Sequence, residues 1–493
     1  MPVQATTWTW TGAEDNRYLN GNNWDPTGPP DGVSPCEPII NNGDTVIVDG
    51  PGAYAGIGWG KVLTLSGDSQ INVVPGGEIT GAFHLGDADG SGKVVQTGGS
   101  WLAHGGMSDF YIGSNGGYGE YHLIDGILGA PAVPGDPMED GLGYFYIGPG
   151  GPGKFIQDGG VVRTRWDYRT VISSWGGGQG EYIMNGGTLR TDTFYFGEWS
   201  AAVSATWEIN STDVDIEIGF YGTDRPAGIK IGYTPSPGAM RCYWRATEGA
   251  AGQTGNPSQT VFMKVHGRLE NYYYTGEVDG EDRSADLSGL NNITFQVLQT
   301  PAGGDPTNPY IEVAGKDIGP DPAGLCNNCA FEGLIIGDGE TYTVVDLKDA
   351  YDNLADGEDN EALYVNILKV NAETELYLNG HPLYYYYGEI DPEAYIDGTP
   401  TQIPWVPGDA DWDVKVQDSD LNLLLSNWGT GTEWGQGDFN DDDTVDDSDL
   451  NLLLSNWGNP CELPASAGSS VPEPATLVLL GLGGLALIRR RRK

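Results

Sequence analysis

The feature that most restricts this chain is a glycine-punctuated repeat in its first half. Phe110-Tyr-Ile-Gly113 leads into Gly116-Gly-Tyr-Gly-Glu-Tyr-His-Leu-Ile-Asp-Gly-Ile-Leu128. Phe145-Tyr-Ile-Gly148 leads into Gly150-Gly-Pro-Gly-Lys-Phe-Ile-Gln-Asp-Gly-Gly-Val-Val162, and Val171-Ile-Ser173 into Gly177-Gly-Gln-Gly-Glu-Tyr-Ile-Met-Asn-Gly-Gly-Thr-Leu189. An earlier copy spans Phe83 to Trp101, and a degenerate one begins at Phe194. The aligned glycines Gly92, Gly119, Gly153 and Gly180 are spaced 27, 34 and 27 residues apart, the long interval holding a Pro-rich insertion from Ala130 to Leu142. Each unit has three short apolar or alternating runs separated by glycines. Such a unit cannot bury its own apolar face and must stack on its neighbours. A propeller blade needs about 40 residues, so stacked coils fit better.

The prediction is a mostly β chain: a right-handed parallel β-helix, or β-solenoid, over residues 44–400, preceded by a cap region at 1–43 containing Trp8, Trp10 and Trp24. Composition agrees, with 77 Gly, 31 Pro, 11% aromatic and only 19% charged residues. A helical bundle would need far more Ala, Glu, Lys and Leu. Alternation along a strand predicts Ile112, Ile147 and Ile172 pointing inward, stacked at about 4.8 Å, and Tyr111, Tyr146 and Val171 pointing outward.

The repeats resemble the Gly-rich β-helical passenger repeats of bacterial surface and autotransporter-like proteins. Pectate lyases and polygalacturonases use the same architecture, which makes a polysaccharide-degrading or polysaccharide-binding β-helix the alternative reading. The clustered Asp, Gly-His-Gly and Arg-x-Lys of a polygalacturonase-like site do not occur together, and the five histidines have no metal or triad spacing. With 69 acidic residues, carboxylate pairs arise by chance and identify no glycosidase. No catalytic residue is assigned. Arg163 and Arg190 occupy equivalent places in successive repeats, either as a surface ladder with Asp167 and Asp192 or as glycan-binding residues. Tyr384 to Tyr387 offers aromatic faces for sugar rings, with about half the run packed inside.

The formal charge is −45, from 69 acidic and 24 basic residues, and five of the basic ones are Arg489 to Lys493. Such a chain repels nucleic acid, so no nucleic-acid partner is expected, and divalent cations are the natural counter-charge. Residues 408–460, set off by linkers at 401–407 and 461–471, contain a duplication. Ser-Asp-Leu-Asn-Leu-Leu-Leu-Ser-Asn-Trp-Gly runs from Ser419 to Gly429 and again from Ser448 to Gly458, each copy after an Asp-rich loop. The loops offer Asp409, Asp411, Asp413, Lys415 and Asp420, then Asp438, Asn440, Asp442, Thr444 and Asp449. These are positions 1, 3, 5, 7 and 12 of a calcium loop, position 7 acting through its backbone carbonyl. After each loop, Leu421, Leu424, Leu425 and Trp428, or Leu450, Leu453, Leu454 and Trp457, fall on one helical face.

Two calcium loops, each followed by one helix, resemble a type I dockerin. That resemblance implies two calcium ions, and recognition of a cohesin-type protein in trans through Asp418, Ser419, Asp447 and Ser448. Position 6 holds Val414 and Asp443 where Gly is usual. Asp tolerates a left-handed backbone better than a β-branched residue, so the second site is the firmer expectation.

The chain ends Val471-Pro-Glu-Pro-Ala-Thr-Leu-Val-Leu-Leu-Gly-Leu-Gly-Gly-Leu-Ala-Leu-Ile-Arg-Arg-Arg-Arg-Lys493. A Pro-Glu-Pro turn, an uncharged stretch and a basic cap closely resemble the PEP-CTERM sorting signal of Gram-negative bacteria. The resemblance implies export and processing by an exosortase that recognises Pro472, Glu473 and Pro474. Residues 472–493 are predicted to form a short hydrophobic anchor helix, with the basic cluster on the cytoplasmic side. Met1 to Trp8 has neither a basic nor an apolar leader segment, and the expectation is that a leader is missing from this sequence. Cys326 and Cys329 suggest a local disulfide or two plain thiols. The resulting expectation is a non-enzymatic surface or matrix protein: β-solenoid, dockerin-like calcium module and sorting signal.

Overall fold

Each coil consists of short strands joined by tight corners, and the strands pair with their equivalents in the next coil. The computed structural model describes residues 6–458 apart from 31–35, 56–61, 87–89, 103–108, 130–141, 165–168, 175–177, 199–203, 220–226, 234–240, 247–259, 272–286, 300–307, 327, 352 and 354–359. Residues 130–141 of the Pro-rich insertion, Asp167 and the sorting signal 472–493 lie outside the described residues.

Three faces emerge. The first is a fifteen-stranded sheet running from Trp24–Asp25 to Tyr395–Asp397, parallel throughout except where Thr6–Trp10 meets Trp24–Asp25 at its outer edge. The second runs from Thr45–Val48 through Pro152–Gln157 to Arg241–Ala246, and the third from Ala53–Tyr54 through Val161–Arg163 to Thr401–Gln402. Successive repeats pair in parallel at the register set by the glycines, Gly92 beside Gly119, Gly153 and Gly180. Ile112, Ile147 and Ile172 are in register and fully buried.

The corner closing each strand of the first face explains the glycines. Gly86, Gly113, Gly148, Ser173 and Gly197 have φ of +69°, +76°, +76°, +60° and +85°. This left-handed region costs an ordinary L-residue roughly 1–2 kcal/mol. A Cβ on Gly148 would also lie 2.3 Å from the Gln179 carbonyl oxygen of the next coil. Ser173 holds the same corner, and its hydroxyl donates to the Gly178 carbonyl at 3.0 Å.

Inside, Tyr121, Phe155, Tyr182, Trp207 and Trp244 form a column in register, with successive ring centroids 5.6, 5.0, 6.0 and 4.9 Å apart. Two buried glutamines share this interior. Gln96 accepts from the Tyr121 hydroxyl and donates to the Gly99 and Ile127 carbonyls, and Gln157 does the same with Tyr182, Gly160 and Thr188. Both amides are thereby satisfied, which removes the penalty of burying them.

Several expectations need correction. Tyr146 and Val171 alternate away from the core but are themselves buried. Tyr146 lies under its neighbours, 5.1 Å from the Tyr111 ring and 5.7 Å from Tyr144, with Arg169 donating to its hydroxyl at 3.4 Å. Within the expected cap, Thr6–Trp10 and Cys36–Ile40 already pair in parallel as rungs of the first face, and Trp8, Trp10, Tyr18 and Trp24 join the core. Residues 401–407 are not a free linker: Thr401–Gln402 pairs with Tyr384 and Tyr385, and Ile403 and Val406 are buried. Cys326 is disulfide-bonded while Cys329 is a free, buried thiol, so the two do not bond to each other.

The expected anchor helix at 472–493 lies outside the described residues and has no counterpart among them. Among the described residues the two α-helices have nine residues each, and no helix is long and apolar enough to cross a membrane. Nine residues rise about 14 Å against a hydrocarbon core of about 30 Å.

One buried acid stands out. Glu312 Oε1 accepts from the amides of Ala350 and Tyr351 at 2.7 and 2.8 Å, while its buried Oε2 has no hydrogen-bond partner. Burial, and after it the nearby Asp349 and Glu361, push its carboxyl from 4.5 to about 8.

Two predictions follow from this packing. Gly148→Ala should cost about 2 kcal/mol or more, read as a lower urea midpoint, because backbone strain and steric overlap coincide. Ser173→Gly should be near neutral. The folded pKa of Glu312 lies above its unfolded value, so its contribution to stability should fall as pH rises from about 4.5 to about 8 and then level off. Glu312→Gln should leave stability at pH 4 unchanged and raise it at pH 9 by about 2–4 kcal/mol. Equal effects at both pH values would refute this.

Candidate functional site

The duplicated segment folds as two loop–helix units, α1 (Asp418–Ser426) and α2 (Asp447–Ser455). The last acid of each loop does two jobs. Asp420 Oδ1 accepts from the Ala410 amide at 2.7 Å, and Oδ2 from the Gln417 amide at 2.8 Å. Asp449 repeats this with Phe439 at 2.8 Å and Asp446 at 2.9 Å. One carboxylate thus closes the loop and caps the helix N-terminus, where negative charge is favourable.

Both loops use the same backbone. Trp412 and Val414 have φ of +57° and +70°, and Asp441 and Asp443 have +58° and +62°. Val414 adopts the left-handed turn that a β-branched residue disfavours. Its side chain is buried, and its amide donates to Asp409 Oδ2 at 3.0 Å. A pseudo-two-fold relates the units: Gly429 donates to the Val445 carbonyl and Gly458 to the Val416 carbonyl, both at 2.9 Å.

Asp409, Asp411 and Asp413 bring carboxylate oxygens within 4.8 Å of one another. Asp409 Oδ1, both oxygens of Asp411 and Asp438 Oδ2 are buried without a hydrogen-bond partner. Burial first, then repulsion from neighbouring acids, raises Asp409 well above the usual carboxylate range, Asp413 to about 7 and Asp420 to about 6. A hard cation with oxygen ligands fits such a donor set, because it supplies both the missing charge and the missing partner. The tighter cluster lies in the first loop, which the sequence ranked second. In the second loop Asn440 and Asp442 are bonded to each other, Nδ2 to Oδ2 at 3.0 Å, and are more exposed. Lys415 and Thr444 follow the left-handed residues at position 7 of each loop.

The helices place their apolar residues unlike the expectation of one buried face. Leu424 and Leu453 are buried, Leu421 and Leu450 half-buried, and Leu425, Trp428, Leu454 and Trp457 between 41% and 54% exposed. Asp418, Asp447 and Ser448 are exposed at the helix starts, and Ser419 is half-buried.

The loops are built onto the solenoid. The Tyr386 hydroxyl, on the last coils, lies near Asp409 and accepts from the Val406 amide at 2.8 Å. Asn366 donates to the Trp412 carbonyl at 3.1 Å, and Trp412 packs 5.8 Å from the Tyr387 ring. Tyr364, Tyr386, Ile403, Val414, Leu424 and Leu453 share one core cluster. Sequence reasoning missed this joint. Its signal was the Tyr384 to Tyr387 run, in which only Tyr386 is fully buried.

Arg163 and Arg190 are in register on adjacent coils. Arg163 is buried, and Arg190 is held by Asp215 and, at 3.1 Å, by Glu217 of the next coil.

The PEP-CTERM protein-sorting motif model matches residues 470–493. No curated protein and no solved structure matches the chain. The chain therefore carries, on a parallel β-solenoid-like body, a C-terminal sorting motif that marks an exported, surface-associated protein and implies processing by an exosortase-type enzyme.

Proposed function

We propose that this protein is a structural or adhesive component of the cell surface or extracellular matrix, acting through a calcium-loaded, dockerin-type module rather than through catalysis. The observation that carries this reading is the pair of equivalent loops with buried, unpartnered carboxylate oxygens, each closing onto a helix. Asp409, Asp411, Asp413, Asp420 and the Lys415 carbonyl would hold one ion. Asp438, Asn440, Asp442, Asp449 and the Thr444 carbonyl would hold the other. Calcium would neutralise part of a segment with thirteen acidic residues and Lys415 as its one basic residue. Asp418, Ser419, Asp447 and Ser448 then present a cohesin-type partner with polar contacts beside exposed Leu and Trp side chains. Because the first loop shares a core cluster with Tyr386, calcium would also secure the C-terminal end of the solenoid.

Calcium titration of the full chain, followed by terbium luminescence sensitised by Trp412 and Trp434, should show saturable binding. Asp409→Ala should weaken it more than Asp438→Ala. Affinity should drop as pH falls from about 7 to 6, because Asp413 and Asp420 must lose protons to coordinate. Unfolding profiles that coincide in calcium and in chelator would sink the reading. For sorting, replacing Pro472, Glu473 and Pro474 with alanine should leave an unprocessed, longer form in the exporting cell and reduce surface display. Normal processing of that variant would remove the exosortase assignment.

A further inference from the structure

The chain has five cysteines, Cys36, Cys242, Cys326, Cys329 and Cys461. Cys326 is disulfide-bonded and Cys329 is a free, buried thiol, so the partner within the chain is Cys36, Cys242 or Cys461. A disulfide needs its two Cα atoms within about 7 Å of each other. The rungs of the solenoid measure that distance, because neighbouring strands lie about 4.8 Å apart. Cys36 opens the rung Cys36–Ile40, and Tyr310–Glu312, which begins the coil of Cys326, lies nine rungs further along the fifteen-stranded face. That is about 43 Å, far beyond a disulfide's reach.

Cys242 pairs with Ala205 on the second face, in the coil that begins with Gly228–Tyr233. From that coil to Tyr310–Glu312 is two rungs, by way of Arg268–Asn271, or about 10 Å. The segment carrying Cys326 also leads away from Cys242. Gly315 and Lys316 pair with Ala362 and Glu361 of the following coil, and the Ile318 amide donates to the Tyr364 hydroxyl at 2.9 Å. Asp317 accepts from the Tyr384 hydroxyl, one coil further on, at 3.1 Å. A Cβ on Gly324 would collide with the Tyr364 ring, so the turn Pro322–Leu325 lies directly on that side chain. Leu325 is buried in the cluster that holds Tyr364, Val416 and Leu453, and Cys326 follows it, half-buried. The acidic module ends in the same cluster, where the Gly458 amide donates to the Val416 carbonyl at 2.9 Å. Cys461 follows Gly458 by three residues, a reach of at most about 10 Å.

We propose that Cys326 is bonded to Cys461, a staple that fastens the chain just ahead of the sorting motif to the solenoid. Forming the bond joins the two Sγ atoms and releases two protons and two electrons. The electrons pass, through a mixed disulfide, to a disulfide-bearing oxidant of the export compartment, which leaves as its dithiol. The bond closes one covalent loop around the last coils and the whole acidic module. Residues 462–471 alone then separate the staple from Pro472. Load arriving through the C-terminal end enters the solenoid at Cys326 without crossing the acidic module. The staple does not depend on whether that module holds a cation.

The test maps the disulfide in the full chain purified from an oxidising export compartment. Free thiols are alkylated in denaturant without reduction, and the tryptic peptides are read by mass spectrometry. Residues 317–348 should appear joined to the peptide that begins at Val416, with fragmentation placing the link on Cys326. Cys36 and Cys242 should be alkylated along with Cys329, because the coil of Cys242 lies seven rungs beyond Cys36–Ile40 and those two cannot pair either. Cys461→Ser should leave Cys326 open to alkylation. Dithiothreitol should lower the urea midpoint of the parent, whose unfolded chain loses a closed loop, and leave that of Cys461→Ser unchanged. The proposal is overturned if Cys326 is joined to Cys36, to Cys242 or to a second chain, or is found as a free thiol. A parent whose urea midpoint is indifferent to dithiothreitol would overturn the staple as well.

Discussion

In-register parallel stacking of short strands is the constraint on which everything else depends. A strand of three residues such as Phe110–Ile112 has no stability alone and buries nothing until Phe83–Leu85 and Phe145–Ile147 lie on either side of it. Stacking requires each coil to turn at the same place, and the left-handed corners at Gly113, Gly148 and Ser173 supply that turn. Once the corners align, like residues fall on like residues. The interior becomes a column of rings, Tyr121 to Trp244, and the outside becomes columns whose chemistry is set by single positions repeated through the sequence.

A stack of coils has two open ends, and each would expose unpaired backbone and apolar side chains. The N-terminal end is closed by the antiparallel Trp24–Asp25 and by Trp8, Trp10 and Tyr18 packed among the first rungs. At the C-terminal end the core cluster continues from Tyr364 and Tyr386 into Val414, Leu424 and Leu453 of the acidic module. The module is thus an end cap as well as a candidate cation site. Its two roles meet at Asp409, which lies near the solenoid's Tyr386.

Charge is distributed by the same geometry. Neighbouring coils put Lys93 beside Glu120 and Lys154 beside Glu181, where repetition turns one sequence position into a ladder of ion pairs. Such exposed pairs contribute little individually, and their effect is to let a very acidic chain stack without excess repulsion. On the first face Lys230 likewise pairs with Glu270 of the next coil, at 3.4 Å.

Much of this was legible in the sequence. The glycine spacing identified the coil period and the partners Gly92, Gly119, Gly153 and Gly180, because a repeat that must stack carries its register in its period. The acidic duplication located the two loops, because oxygen ligands must recur at fixed positions around a cation. Tertiary structure decided the rest. Alternation said that Tyr146 points away from the core, but only the packing of Tyr111, Tyr144 and Arg169 made it buried. Helical periodicity grouped Leu424 with Leu425 and Trp428, but docking against the solenoid buried Leu424 and left the other two exposed. The ranking of the loops rested on Val414, whose left-handed backbone is held by burial and by Asp409. Periodicity is local and survives in a linear sequence, whereas burial depends on which distant surface arrives to cover a face.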